Sequence, residues 1–328
     1  MSMNVGEDEF GMLDLVSLGE LLIDFTPVGM SEKGVPLFEQ NAGGGPANLA
    51  CAAAKLGVKA ALMGKVGADK FGEFLTQTIR ENGVDVTGLA TSQSHPTALA
   101  FVHLDPNGDR SFSFRRKQSA DTMISFRDLN TTLIDRAKYF FFSSFIMSAP
   151  LSRKTSFQAA KYAKKAGKTV VFDPNLRLNV WESEKQAKAV ALKAIRYADI
   201  VKVSEEELFF LTGENTIGQG TERLWSEYHL RALVVTLGAE GSIIRTPLHT
   251  VRTPAFDVTT VDTTAAGDSF NAALICALCK SGKQIDELDE PSLCQCARFA
   301  NAVGSLTTTK KGSISATPTL AEVQALLG

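Results

Sequence analysis

Residues 261–282 read VDTTAAGDSFNAALICALCKSG. Small residues at 265 to 267 let the backbone approach a ligand closely. Phe270, Ala273, Leu274, Ala277 and Leu278 recur on one face at helical spacing. The pattern predicts a helix beginning at this loop. The first N–H groups of a helix lack partners within it and, with the helix dipole, form an anion site. Asp268 falls in that first turn and has two readings. It is an acid favoured near a helix start by up to about 1 kcal/mol, or it is a base. As a base it takes the proton of an attacking hydroxyl while neighbouring N–H groups stabilise charge on a transferring phosphoryl group.

Upstream of this loop, from 137 onward, the chain alternates strand and helix: AKYFFFSS, a helix over 153–166, KTVVFDPN, a helix over 183–197, ADIVKVS, a short helix from 205, then RALVVTLG. That rhythm predicts an α/β fold whose mostly parallel sheet is covered on both faces. Ligands of such sheets bind beyond the carboxyl ends of the strands. Nearer the start, LDLVSLGELLIDF (13–25) reads as a strand continuing into a turn or second strand, with Asp24 alone among apolar neighbours. After the turn NAGGGP come a helix over 47–56 ending at Gly57, a strand over 58–67 and an amphipathic helix over 71–83. Residues 97–104 and 110–116 flank DPNG, where Asn107-Gly108 favours a tight hairpin turn. This hairpin is two-faced, as a lid would be. No repeat or linker divides the chain. It reads as one domain over 1–328, with a β lid at about 32–42 and 96–118 and a frayed tail over 1–11.

With 44% hydrophobic and 21% charged residues the chain buries a full core, and a net charge of -2 lacks the basic footprint of a nucleic-acid binder. The N-terminus carries acid where a signal peptide needs basic then apolar residues. The most apolar stretch, AALICALC at 272–279, is far shorter than the roughly 18 residues that span a bilayer. Neither nucleic acid nor membrane is expected as a partner, and the cytoplasm is the expected location. Of five cysteines, four fall late, as Cys276, Cys279, Cys294 and Cys296. Zinc is a weak reading, because the first pair lies in an apolar helical run with no His or further Cys close behind; buried reduced thiols are the better one. A nicotinamide-dependent oxidoreductase fails on spacing: GGGPAN does not match G-x-G-x-x-G, and no convincing strand-end acid follows about 20 residues later.

Asp262 to Asp268, DTTAAGD, resembles the D-T-[TV]-[GA]-A-G-D signature of the ribokinase-like (PfkB) carbohydrate kinases, and NAGGGPANLACAAAKLG resembles their G-G-x-x-A-N segment. Two separated signatures in order are more specific than one glycine motif. The resemblance covers nearly the whole chain. It implies a three-layer αβα fold with a small β lid, and a catalytic set of Asp268, Gly267, Ala266, Ala265 and Arg177, with Ala265 standing where many members have Gly. For the sugar it implies Asp24, Gly44, Gly45, Asn48, Phe101, Arg115 and Asn175 beside Asp268. Asp173 of the same FDPNLR segment is implied to face the phosphates and acceptor. No G-x-x-x-x-G-K-[ST] is present, so the helix start at 265–268 must do the work of a P-loop.

For ATP the resemblance implies Lys202, Ser204, Glu207, Thr236, Gly238, Gly241, Ala266, Gly267, Asn301 and Ser305. Ser204-x-x-Glu207 also fits a helix capping box, and Glu207 is free for a Mg²⁺ shell only if capping does not use it. TTTKKGSISA (307–316), with Asp262 and Thr264, resembles a loop that cages a monovalent cation, expected to be K⁺; Thr307, Lys310, Gly312 and Ala316 belong to it.

Within the family, GELLIDFTP, FRRKQSAD and DPNLRLNVW are more similar to the fructokinases than to ribokinases or nucleoside kinases. This implies an ATP-dependent transfer to fructose giving fructose 6-phosphate. Ribose and 2-keto-3-deoxygluconate are the alternative acceptors, and a non-catalytic sugar-responsive regulator is the alternative role. The lid arginines, Arg115 and Arg116, either reach the sugar or are solvated edge charges. A homodimer through the lid is expected.

Overall fold

A parallel strand covered by helices on both sides has no polar face, so its side chains alternate between two apolar layers instead of between core and water. The computed structural model, which describes residues 11–104 and 110–328, shows this in the strands at the middle of the central sheet. All of the expected tail but Gly11, and the Asn107-Gly108 turn, lie outside the described residues. The strands are β1 (Leu13–Leu18), β2 (Leu22–Met30), β3 (Pro36–Gly43), β4 (Ala60–Gly67), β5 (Asp85–Ser92), β6 (Ala98–Leu104), β7 (Arg110–Arg115), β8 (Ala137–Ser143), β9 (Thr169–Asp173), β10 (Ile200–Ser204), β11 (Ala232–Thr236), β12 (Ser242–Arg245) and β13 (Thr250–Thr253). Nine of them form one sheet in the order β13-β12-β11-β10-β9-β8-β1-β4-β5. Only β12 and β13 run antiparallel to their neighbours.

Alternation divides the core. Leu15, Tyr139 and Phe141 face one layer with helices α1 (Gly45–Lys55), α2 (Lys70–Glu81), α8 (Ala266–Ser281), α9 (Glu290–Thr307) and α10 (Leu320–Leu327). Val16, Phe140 and Phe142 face the other, with α3 (Thr131–Arg136), α4 (Pro150–Lys165), α5 (Glu184–Ile195), α6 (Glu205–Thr212) and α7 (Ile217–Glu227). The result is the expected three-layer arrangement. Elements the sequence reading did not name are β5, β12, β13, α3, α7, α9 and α10.

The remaining strands form a second sheet, β3-β2-β6-β7. It includes β2, so the lid begins at Leu22, ahead of the expected 32. Directly paired residues share a face. Ile23 and Phe25 pair with Leu99 and Phe101, and Ile23, Phe25 and Leu99 pack on the layer containing α2. On the other face Asp24 pairs with Ala100, which pairs with Phe114, and Leu22, Ala98, Ala100 and Phe114 gather around Phe145.

This register corrects two expectations. Phe101 lies on the face opposite Asp24, stacked on Phe25 with ring centroids 5.1 Å apart. Arg115 pairs with Leu99, so it too faces away from Asp24, and it is exposed. Arg116, one step past the strand, is buried: it pairs with Asp121 at 2.5 Å, donates to the Ser148 hydroxyl and lies over the Phe145 ring. The lid is thereby anchored to the body. Farther out, β2 carries a bulge: Pro27 and Gly29 pair with the consecutive residues Phe38 and Leu37, leaving Val28 as the extra residue. Around and beyond the bulge Val28, Met30, Val35, Leu37 and Phe38 form an exposed apolar strip.

Candidate active site

The carboxyl ends of β1, β9 and β10 and the start of α8 converge beneath the lid face that carries Asp24. The helix start is made by an unusual backbone. Ala265 is the N-cap of α8 with φ 60°, a left-handed conformation that costs an L-residue about 1 kcal/mol or more. The Ala266 N–H goes to the Thr263 carbonyl and that of Ser269 opens the helix ladder on Ala265. The N–H groups of Gly267 and Asp268 lie between, at the positive end of a 16-residue helix. A β-carbon on Gly267 would sit 2.9 Å from the Lys202 ammonium. Only glycine therefore lets that cation stand against the helix start.

Lys202 is buried and pairs with Asp173 at 3.1 Å. Burial works against its charge, but Asp173, Glu207 and Asp268 outweigh burial and hold its pKa above the usual lysine value. Asp173 also accepts from the Asn271 amide at 2.8 Å and from the Asn175 N–H at 2.9 Å. One buried cation thus ties β9, β10 and α8 together where anionic phosphates would meet the helix.

Asp268 is 8% exposed, and both its oxygens are held. Oδ2 accepts from the Asn48 amide at 3.0 Å and Oδ1 from that of Asn175 at 3.2 Å. Burial pushes its pKa up to about 6; Asp173 adds to the rise, and the Asn48 bond, Lys202 and Arg177 oppose it. At neutral pH it is ionised and poised to accept a proton. Asn48 keeps a second polar atom, Oδ1, buried without a partner among the described residues.

Asp24 is half-buried, and burial pushes its carboxyl up to about 7 against the opposing charge of Arg177. Arg177 is itself exposed, donates to the Leu176 carbonyl at 3.0 Å, and acts electrostatically on both Asp24 and Asp268. It lies on the rim between the two acids. Gly43, Gly44 and Gly45 form the wall between them. A β-carbon on Gly43 would overlap the Asp24 carboxylate, one on Gly44 (φ 120°) the Glu20 carbonyl, and one on Gly45 would come within 2.5 Å of Asn175 and 3.3 Å of Asp268. The structure thus brings Asp24, Gly44, Gly45, Asn48, Asn175, Arg177, Gly267 and Asp268 together and leaves Phe101 and Arg115 on the far side of the lid.

The sequence reading missed Gly43 and Glu20. Glu20 is 2% exposed, and its Oε1 accepts the Gly45 N–H at 2.9 Å. Its signal was present: one acid directly after Gly19 at the end of an apolar strand.

On the other flank, Ser204 and Glu207 do form the capping box of α6. Glu207 accepts from the Ser204 N–H with Oε2 and from the Leu176 N–H with Oε1, so each oxygen keeps one lone pair for a hydrated cation. The Thr236 hydroxyl meets the Val203 carbonyl at 3.4 Å. Gly238 has open space around it, whereas a β-carbon on Gly241 would strike the Thr253 carbonyl, so that glycine serves packing. The Asn301 amide donates to the Thr253 and Pro254 carbonyls, and the Ser305 hydroxyl accepts the Phe256 N–H. Both shape the 253–256 segment.

Asp262 joins the two segments of the expected cation loop. Its Oδ1 accepts the Thr264 N–H and hydroxyl, and its Oδ2 accepts the Gly312 N–H at 3.0 Å. The Lys310 ammonium turns away to Glu322, the Thr307 hydroxyl donates to Val303, and Ala316 is fully buried, which leaves backbone carbonyls as the groups these three residues could offer a cation. Among the described residues no cluster of His, Cys, Asp and Glu has the form of a metal site, the five cysteines are free thiols, and no helix is long and apolar enough to cross a membrane.

Comparison with known proteins agrees with this geometry. The pfkB family carbohydrate kinase model matches residues 12–320. The chain is 42% identical over 316 residues to probable fructokinase-4 of Arabidopsis thaliana, covering 95% of this chain and 96% of that protein. It is equally similar to fructokinase-1 of Zea mays, with 95% and 97% covered. Among solved structures, the fructokinase of Xylella fastidiosa with bound ATP superposes with a TM-score of 0.88 at 32% identity, covering 96% of this chain and 98% of that one. The fructokinase of Vibrio cholerae O395 bound to fructose, ADP and a calcium ion gives 0.86 at 34%, covering 97% and 99%.

Proposed function

Since the chain belongs to the pfkB family of carbohydrate kinases, we propose that it transfers the γ-phosphoryl group of ATP to fructose, giving fructose 6-phosphate and ADP. The carrying observation is Asp268 at the start of α8, its two oxygens oriented by Asn48 and Asn175 beside the Gly267 N–H and the Lys202 ammonium. Asp268 takes the proton of the sugar's primary hydroxyl. The oxygen attacks the γ-phosphorus, and the bond to the ADP oxygen breaks. The Gly267 and Asp268 N–H groups, Lys202 and Arg177 stabilise the equatorial oxygens as negative charge redistributes. Asp24 accepts hydrogen bonds from other hydroxyls of the sugar and orients it.

The donors fit the expected cations. Mg²⁺ would be held through water by Glu207 and through the phosphates, where it neutralises charge. K⁺ would be held by carbonyls of the 262–264 and 307–316 segments that Asp262 ties together. The exposed strip of Val28, Met30, Val35, Leu37 and Phe38 suits a second copy of the chain, giving a dimer through the lid. Five free thiols suit a reducing cytoplasm.

The test is ADP release with a panel of sugars at fixed ATP and Mg²⁺. Fructose should give the largest kcat/KM, since a site that pairs several hydroxyls can discriminate by factors of roughly 10,000. A higher kcat/KM for ribose or 2-keto-3-deoxygluconate would replace fructose as the acceptor. No turnover of any sugar would favour the regulator.

A further inference from the structure

Glu20 is a buried acid at this site that the transfer step does not use. It follows Gly19 at the end of β1 and lies behind the glycine wall. Its Oε1 accepts the Gly45 N–H at 2.9 Å, while its Oε2 is fully buried with no hydrogen-bond partner among the described residues. The nearby guanidinium of Arg116 lies over the Phe145 ring and spends Nε on Asp121 and Nη1 on Ser148 and the Phe145 carbonyl, while its Nη2 is buried with no hydrogen-bond partner among the described residues. The Glu20 backbone matters as well, because its carbonyl fills the space a side chain at Gly44 would need. The β-carbon position of Gly45 is flanked by two carboxyls, Asp268 Oδ1 at 3.3 Å and Glu20 Oε1 at 3.6 Å. The turn is thus clamped between the base and a second acid.

We propose that Glu20 is a positioning residue for the transfer: its carboxyl holds the Gly45 N–H and so sets the distance between the acceptor-facing turn and Asp268. The inference rests on the kinase reading above. It also dictates a protonation state. A carboxylate without a directly paired cation is costly to bury, and burial pushes Glu20 up to about 8, with Arg116 and the Glu20 and Gly45 N–H groups opposing and Asp121 adding to the rise. Glu20 is therefore largely neutral at pH 7. When it ionises, it places a second negative charge across Gly45 from Asp268, with Arg116 and Asp121 on its other side.

The experiment compares wild type, Glu20→Ala and Glu20→Gln between pH 6.5 and 9.5, using whichever sugar the wild type turns over best, so that an error in the acceptor is detected separately. Glu20→Ala should lower kcat/KM for the sugar by about 100-fold, the scale of a misplaced reacting group, while KM for ATP stays within about two-fold. Glu20→Gln, which keeps the acceptor for Gly45 and cannot ionise, should rescue most of that loss, and the wild type should lose rate above about pH 8 where Glu20→Gln does not. The proposal is overturned if Glu20→Ala leaves the sugar kinetics intact, or raises both KM values equally. It is also overturned if Glu20→Gln keeps the wild-type alkaline fall; that readout decides the question even if the alanine variant does not fold.

Discussion

Replacing Asp268 by Asn should make the protein more stable while removing its activity. Burial raises this carboxyl from its ordinary value of 3.8 to about 6, so the folded state binds its proton more tightly than the unfolded state does. The stability attached to that proton is fully present below about pH 4 and is lost as the pH rises through about 6. Linkage gives a cost of about 3 kcal/mol at pH 7.5 and about half of that at pH 5. The amide carries no charge and escapes this cost. Its hydrogen bonds survive, because Asn48 can turn its unpartnered Oδ1 toward the new NH₂ while Asn175 still donates to the remaining oxygen. With an unfolding entropy near 2.1 cal/mol/K per residue, 3 kcal/mol is a rise of about 4 °C in Tm for this chain. The assay pairs thermal melts at pH 7.5 and 5 with ADP release at saturating fructose. Expected are a Tm gain that shrinks by about half at pH 5 and a loss of turnover of about 100-fold or more. A variant no more stable than wild type at pH 7.5, or one that loses only a few-fold in turnover, would refute the account of a strained, buried base.

Asp24→Ala should raise KM for fructose about ten-fold or more with little change for ATP, and Gly43→Ala should reproduce it by driving the Asp24 carboxylate aside; calorimetric titration of each ligand checks both, and equal losses for sugar and nucleotide would mark a folding defect. Because Asp24 titrates near 7, sugar affinity should also weaken as the pH falls below neutrality. Ala265→Gly relieves a left-handed alanine but frees the unfolded chain, so its stability should stay within about 1 kcal/mol of wild type. A denaturant titration showing a loss above about 2 kcal/mol would mean the methyl group makes contacts of its own. Replacing K⁺ by tetramethylammonium should slow the wild type and leave Asp262→Ala unaffected, since Asp262 joins the two segments of the cation loop; a rate indifferent to K⁺ removes that site.

The βα rhythm was legible because doubly buried strands are short apolar runs, and β8, β9, β10 and β11 lie where such runs stand. The start of α8, with Asp268 in its first turn, was legible because small residues, acid and helical periodicity occupy one stretch. The rest depended on information held between segments. Period-two alternation shows that Phe101 and Ala100 point to opposite sides, but only the pairing of β6 with β2 decides which side shares the face of Asp24. Arg115 failed for the same reason, and Arg116, its neighbour, proved to be the lid's anchor. Edge strands β12 and β13 are four residues each, too brief to stand out. Glu20 was passed over because a lone acid in an apolar run gives no hint of whether it meets a cation, a backbone N–H or water.

The bulge in β2 divides the register of the lid into two independent parts. Inward of Pro27, a one-residue slip would put the Phe25 ring where the Asp24 carboxylate stands beside Gly43. Outward of it, Val28 absorbs a change of phase, so the register of the tip is uncoupled from the register of the catalytic face. Insertions, deletions and changes of apolar pattern in the tip can therefore be accommodated without shifting the register around Asp24.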